Sequence, residues 1–338
     1  MRLIAVSSTV TMLALALTAC GGGSSDDEGQ ALLDTKEEVA HELAVVGSIF
    51  LSTGDDEALT AGDTESKRAS RIDSRGWGRG SMARTSAVRE TAGLRAKASE
   101  TYNCSGGGIS VATSGSMSVQ YGFYGNVSAQ TDYTQYTDTN CVEDYGSGQT
   151  YTYNGHSEIG DSVDAVSGYY YGYDRAGQGS TPQTLRVVGS DTDLTIRSLG
   201  LIEYKNSQDG NSNSYSQLGE QQASGRLDGD SFEYEFVYGR GNTPITYEDS
   251  SAGESLDGHY AYRSSGCEGG ELSIDTLNPI FFGNTNPTPV GGKLVLSSDG
   301  DSVTVTFQSN GSATLEFGNG GSATLSQSEI ANADPDNC

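Results

Sequence analysis

From residue 101 onward the chain alternates between ring-bearing or aliphatic residues and polar ones. Phe232, Tyr234, Phe236 and Tyr238 are spaced by Glu233, Glu235 and Val237. Val303, Val305 and Phe307 are spaced by Thr304 and Thr306, and Ala313, Leu315 and Phe317 by Thr314 and Glu316. Successive strand residues point to opposite faces, so a period of two describes antiparallel strands with one face buried and the other wetter. Asn154-Gly155, Asp228-Gly229, Asp257-Gly258, Asp299-Gly300, Asn310-Gly311 and Asn319-Gly320 punctuate the runs. Such pairs suit two-residue hairpins, whose central positions need positive φ. Turns every 8 to 12 residues predict roughly 13 to 16 strands. The expected fold is all-β: a large antiparallel curved sheet or sandwich, a meander of hairpins. The main domain is expected over 101–265. Asn278-Pro279 and Asn286-Pro287-Thr288-Pro289 interrupt the pattern, so 266–338 is expected as a C-terminal β subdomain, separate or continuous with the main sheet. No clean internal repeat is legible.

The first hundred residues differ. Residues 1–19 read as a secretory signal, with Arg2 and then a mostly apolar stretch from Leu3 to Leu17. No apolar run of about 18 to 20 residues follows it, so no spanning helix is expected. Residues 20–30 form a Gly/Ser/Asp tether. Over 31–54, Leu32, Val39, Leu43, Val46 and Phe50 fall on one helical face, and an amphipathic helix is predicted. His41 is expected as a solvated residue of that helix. Residues 55–100 carry charge and few apolar side chains, so a largely disordered linker is expected, with at most a short frayed helix near Ala83 to Ala98. Within it, Lys67–Lys97 holds nine basic residues against two acidic ones. The whole chain, with 19 basic and 45 acidic residues, carries −26. That balance argues against a nucleic-acid-binding protein. The basic segment is expected to meet an anionic envelope polymer, lipid head groups or the chain's own acidic domain.

Leu17-Thr18-Ala19-Cys20 resembles the lipobox of bacterial lipoproteins. The resemblance implies cleavage before Cys20, acylation of Cys20, and membrane anchoring through several acyl chains, each contributing about 0.8 kcal/mol per buried CH₂. Gly21 rather than Asp follows Cys20, which in enterobacterial lipoproteins implies the outer membrane. Together with Glu37 to Ala40, Asn103-Cys104-Ser105-Gly106-Gly107-Gly108 and Asn140-Cys141, the chain resembles uncharacterised β-rich lipoproteins of Gram-negative bacteria. That group implies the architecture and no activity.

Four cysteines remain after Cys20: Cys104, Cys141, Cys267 and Cys338. Export to an oxidising compartment predicts two disulfides, and four cysteines allow three connectivities. Pairing Cys104 with Cys141 and Cys267 with Cys338 keeps each bridge within one half of the β region. There is no C-x₂-C pair, and three scattered histidines offer no ligand spacing, so neither a metal nor a cofactor is expected.

The candidate chemistry is sparse. Gly160-Asp161-Ser162 resembles the nucleophile block of lipolytic enzymes of the Gly-Asp-Ser type. The triplet recurs at Gly229-Asp230-Ser231 and Gly300-Asp301-Ser302, however, as a turn set would. Carboxylates pair at Asp191/Asp193, Asp228/Asp230, Asp299/Asp301 and Glu233/Glu235. Such pairs serve glycoside hydrolysis when they converge across a cleft. Nineteen tyrosines stand out, densest in Tyr169-Tyr170-Tyr171-Gly172-Tyr173. Tyr169, Tyr171 and Tyr173 share a face and are candidate ligand-stacking rings if that face is open. Three functions are therefore expected, in this order: a non-catalytic binding or scaffolding domain on a lipid anchor, a carrier of lipid or another apolar ligand in a curved sheet, and a glycan-acting enzyme using paired carboxylates.

Overall fold

The computed structural model describes residues 33–53 and 89–333, apart from 123, 125–126, 145–147, 163–167, 208–211, 228, 265–269, 283–287 and 299. The strands are β1 (Arg89–Asn103), β2 (Gly107–Tyr121), β3 (Val127–Asp144), β4 (Thr150–Ser162), β5 (Tyr169–Ala176), β6 (Gln183–Val188), β7 (Asp193–Ser207) and β8 (Ser212–Leu227). They continue as β9 (Asp230–Tyr238), β10 (Ile245–Ser250), β11 (Gly253–Ser264), β12 (Glu271–Phe282), β13 (Pro289–Ser298), β14 (Asp301–Phe307), β15 (Ala313–Phe317) and β16 (Ser322–Leu325). All belong to one antiparallel sheet of sixteen strands that follows chain order, with β6 beside β5's place and β9 beside β10's. The residues from β12 onward extend this sheet through the β11–β12 pairing.

One boundary moves. The segment expected as linker up to residue 100 ends in β1, which runs from Arg89 antiparallel to β2 with two register shifts. Few apolar residues argued against structure there. A strand on a sheet edge, however, is ordered by backbone hydrogen bonds to its neighbour and needs no core of its own.

The sheet bends both ways. Leu194 and Leu201 lie seven residues apart on β7, and β7 pairs with β8 without a register break. They therefore point to opposite faces. Leu194 joins one core with Tyr234, Phe236, Tyr260, Leu272, Leu296 and Leu315, which covers one face of the C-terminal half. Leu201 joins the other, with Met117, Val119, Tyr121, Tyr133, Tyr171 and Tyr173, on the opposite face of the N-terminal half. Tyr121 on β2 and Tyr171 on β5 have ring centroids 5.4 Å apart. Three strand spacings in a flat sheet would separate them by about 14 Å. The N-terminal half thus curls around its tyrosine face and the C-terminal half around the other, here the helix face. Each leucine fully buried in these cores contributes about 1.5 to 3 kcal/mol.

Helix α1 (Lys36–Thr53) lies on the helix face, with Leu33, Val39, Leu43, Val45 and Val46 buried in the larger core. Its start is a capping box. Thr35 Oγ1 accepts from the Glu38 amide at 3.3 Å, and a Glu38 carboxylate oxygen accepts from the Thr35 amide at 2.8 Å. Helix α2 (Gln327–Ala331) starts with the same device on Ser326 and Glu329. Lys36 Nζ donates to Glu329 at 2.6 Å and joins the two helix starts. Lys36 and the Ser326 donors hold the Glu329 carboxyl down to about 2.

Candidate functional site

Cys104 and Cys141 form a disulfide with Cα atoms 5.3 Å apart. Their sulfurs lie near the Glu143 carboxylate, but the bridge occupies both thiols. Cys20, Cys267, Cys338 and the basic stretch from Lys67 to Arg84 lie outside the described residues.

Two of the three stacking candidates are buried. Tyr171 is 4% exposed and Tyr173 fully buried, both within the smaller core. The Tyr173 hydroxyl donates to the buried Glu158 at 2.6 Å, and burial pushes the phenol well up. Tyr169 is half-buried, with Lys205 Nζ 4.2 Å from its ring centroid. Alternation sorts rings between two faces but does not say which face the sheet will curl around, and here it curls around theirs. Tyr170, on the other face, is the exposed ring of the run.

Of the expected carboxylate pairs, Asp228 and Asp299 lie outside the described residues, and two of the described carboxylates are held by neighbouring side chains. Asp193 is held by Arg186 at 2.8 Å and Glu235 accepts from Gln222 at 3.0 Å, while Asp191, Asp230, Glu233 and Asp301 are exposed at turns or on strands, with Asp230 and Glu233 both on β9. Gly229-Asp230-Ser231 and Gly300-Asp301-Ser302 enter β9 and β14, as a turn set would. The Asp161 of the third triplet bonds the Tyr204 hydroxyl.

Two clusters were not foreseen. The first is Glu42 on α1, 3% exposed, which accepts from the hydroxyls of Tyr260 at 3.0 Å and Tyr262 at 3.1 Å. His41, expected in solvent, instead meets the Tyr262 hydroxyl through Nε2 at 2.7 Å. Burial raises the Glu42 carboxyl above its ordinary range, against the pull of His41 and the two phenols. A carboxyl raised on folding favours the folded state below its unfolded pKa and loses that contribution as pH rises through the raised value. Glu42→Gln should therefore be more stable than the native chain at neutral pH, with the difference vanishing toward pH 4. Thermal melts of both proteins over that range check this. An equal deficit for the variant at every pH would show that the carboxylate is not the costly group.

The second cluster is a matched pair. β5 and β6 both pair with β4 on one side and β7 on the other. They are one strand interrupted by Gly177-Gln178-Gly179-Ser180-Thr181-Pro182. β9 and β10 likewise both pair with β8 and β11, interrupted by Gly239-Arg240-Gly241-Asn242-Thr243-Pro244. Gln178 and Thr181 exchange backbone hydrogen bonds at 2.9 and 3.0 Å, and Arg240 and Thr243 at 2.8 and 3.0 Å. The first glycines have φ of 74° and 76°, and the second glycines both have 62°. Each first glycine donates its N–H to a histidine carbonyl, Gly177 to His156 at 2.8 Å and Gly239 to His259 at 2.6 Å. Each histidine places Nδ1 against a hydroxyl on the next strand, Thr137 at 3.4 Å and Ser273 at 3.2 Å. Burial lowers both imidazoles below their ordinary range.

Both histidines follow a glycine of positive φ, in Asn154-Gly155-His156 and Asp257-Gly258-His259. These two pairs were expected as hairpin turns and instead lie inside β4 and β11. A Cβ on Gly155 would come within 3.0 Å of Gln183 Cα, and one on Gly258 within 2.7 Å of Ile245 Cα. Here glycine serves close backbone approach beside an interrupted strand, not chain reversal.

A pseudo-two-fold axis relates the two stations. Ser157, Ala176, Gly200, Gly219, Tyr238 and Tyr260 form one row across the sheet. Rotation about the sheet normal between Gly200 and Gly219 exchanges β7 with β8, the interrupted strands with each other, and β4 with β11, and preserves strand direction. The match extends to side chains. A Cβ on Gly177 would meet Leu199 Cδ1 at 2.6 Å, and one on Gly239 would meet Leu218 Cδ1 at 2.6 Å. Where the stations differ, they differ together. Arg240 and His259 face Glu271 at 3.8 and 3.6 Å, and the positions equivalent to Arg240 and Glu271 are Gln178 and Gln135. Both excursions leave the sheet on the tyrosine face, because the side of Gly177 and Gly239 turned to that face is filled at 2.5 Å by the carbonyls of Thr181 and Thr243.

Comparison with protein-family models, with curated proteins and with solved structures gives no match.

Proposed function

We propose that this chain is a lipid-anchored envelope protein of Gram-negative bacteria whose β domain is a non-catalytic binding or scaffolding body, tethered to the outer membrane through Cys20. The Leu17-Thr18-Ala19-Cys20 box, followed at once by Gly21-Gly22-Gly23-Ser24-Ser25, carries this reading. The packing supports a scaffold over a carrier of apolar ligands, because α1 fills the hollow of the helix face and tyrosines fill the hollow of the other. The engagement of Asp193 by Arg186 and of Glu235 by Gln222 favours binding over glycan hydrolysis, which needs two carboxyls free to act across a cleft. The basic stretch Lys67–Lys97 lies between α1 and the sheet in sequence. On this reading it contacts anionic envelope polymer or lipid head groups.

Replacing Cys20 by alanine in a Gram-negative host should abolish incorporation of labelled palmitate and release the β domain from the membrane fraction. Continued labelling and sedimentation with membranes would overturn the anchor. Protease treatment of intact cells then distinguishes a surface-exposed β domain from a periplasmic one.

A further inference from the structure

We propose that the two loop–histidine stations are a matched pair of binding sites for one hydroxyl-rich repeating polymer, a glycan strand gripped at two points. This rests on the binding role proposed above and names the ligand class and the surface.

Folding accounts for only part of what the two stations share. Gly155/Gly258, Gly177/Gly239 and Gly179/Gly241 have positive φ, and the first two of these pairs also sit against neighbouring atoms. The latch to the histidine uses its backbone carbonyl, which any residue supplies. The imidazole is therefore not required by the latch, yet two of the chain's three histidines stand at these equivalent positions. Thr181 and Thr243 are exposed tip residues and are also identical. Beyond the loops, Pro182/Pro244 and Thr184/Thr246 are still identical, whereas Gln183, Leu185 and Arg186 stand against Ile245, Tyr247 and Glu248. The imidazoles are half-buried against Thr137 and Ser273, so the identity that neither the latch nor packing requires is that of the exposed Thr181 and Thr243.

The chemistry of the tips narrows the ligand. The exposed positions are Gln178, Gly179, Ser180 and Thr181 in one loop and Arg240, Gly241, Asn242 and Thr243 in the other. They present amide, hydroxyl, guanidinium and bare backbone groups. Neither tip has a carboxylate of its own, although the chain carries 45. Glu271, beside the second tip, is paired with Arg240 at 3.8 Å, so neither tip offers a cation a cluster of oxygen ligands. Neither has an aromatic or aliphatic anchor of the kind that dominates protein–protein contacts. A sugar chain, rich in hydroxyls that both donate and accept, suits such a surface. The stations lie level in one row on one face, three strand spacings or about 14 Å apart. Two like sites at a fixed separation match a ligand whose recognised unit repeats, and the second contact is then intramolecular.

The test uses the full-length protein and two double substitutions at exposed tips, Gln178→Ala with Thr181→Ala, and Arg240→Ala with Thr243→Ala, each with its melting curve checked against the native protein. The probes are soluble glycan strands from peptidoglycan and from surface polysaccharide, each as a single repeat unit and as a long strand. Native protein should bind the long strand of one source about 100-fold or more tighter than its single repeat. Either double substitution should reduce the long-strand affinity to the single-repeat level, and the combined variant should lose binding. Long-strand binding that survives the combined substitution would overturn the stations while leaving the broader binding role standing. Failure of the native protein to bind strands from either source would overturn the glycan assignment itself.

Discussion

Replacing Cys104 and Cys141 together by alanine is expected to lower the stability of the folded chain by about 4 kcal/mol. The two residues are 37 apart in sequence, and closing a loop of that size removes about this much free energy from the unfolded ensemble on the chain-entropy account. The location adds to the effect. Cys104 lies in the turn between β1 and β2, where its carbonyl accepts from Gly107 at 3.1 Å and its amide donates to Gly108 at 3.2 Å. Cys141 lies on β3, so the bridge crosses β2 and ties the turn that carries the edge strand to the second strand inward. Both cysteines are buried. Urea unfolding of the native and double-alanine proteins measures the loss, and amide exchange along β1 should rise before exchange in β13 to β15. A loss below about 1 kcal/mol would mean that the unfolded chain is already held compact in this region.

Much of the fold was legible in the sequence, because the evidence of alternation is local. Tyr234, Phe236 and Tyr238 point one way on β9 in any antiparallel sheet, and Asn310-Gly311 and Asn319-Gly320 do join consecutive strands. Curvature is not local. Whether Tyr171 and Tyr173 face solvent depends on β2 reaching them across two intervening strands, which no window of sequence records. Glu42 was hidden for a related reason, since its partners Tyr260 and Tyr262 lie more than 200 residues away. β1 was missed because an edge strand can form on its neighbour's backbone with little apolar content. The paired stations escaped because the two copies run in opposite chain order. His156 precedes its loop and His259 follows its own, so no fixed period links them, and only the assembled sheet brings them into register.

Alanine at Gly177 and at Gly239 should each cost about 2 to 4 kcal/mol, and the two costs should agree. With φ of 74° and 76°, an alanine at either site enters the left-handed region, at about 1 to 2 kcal/mol. Its Cβ would also lie 2.5 Å from the carbonyl oxygen of Thr181 or Thr243 and 2.6 Å from Leu199 or Leu218. The leucine tip can rotate away, but the carbonyl is backbone and belongs to the hydrogen-bonded loop, so the loop itself must shift. Gly179→Ala and Gly241→Ala provide the internal control. Both have φ of 62° and neither has an atom within 4 Å of the added Cβ, leaving only the same conformational cost of about 1 to 2 kcal/mol. Chemical unfolding of the four variants should therefore sort them by place in the loop and not by which half of the chain they occupy. A large penalty for one first glycine and a small one for the other would mean that the pseudo-two-fold likeness ends at backbone shape. Matched penalties would mean that the two halves bear on their loops through the same contacts, as equivalent binding stations require.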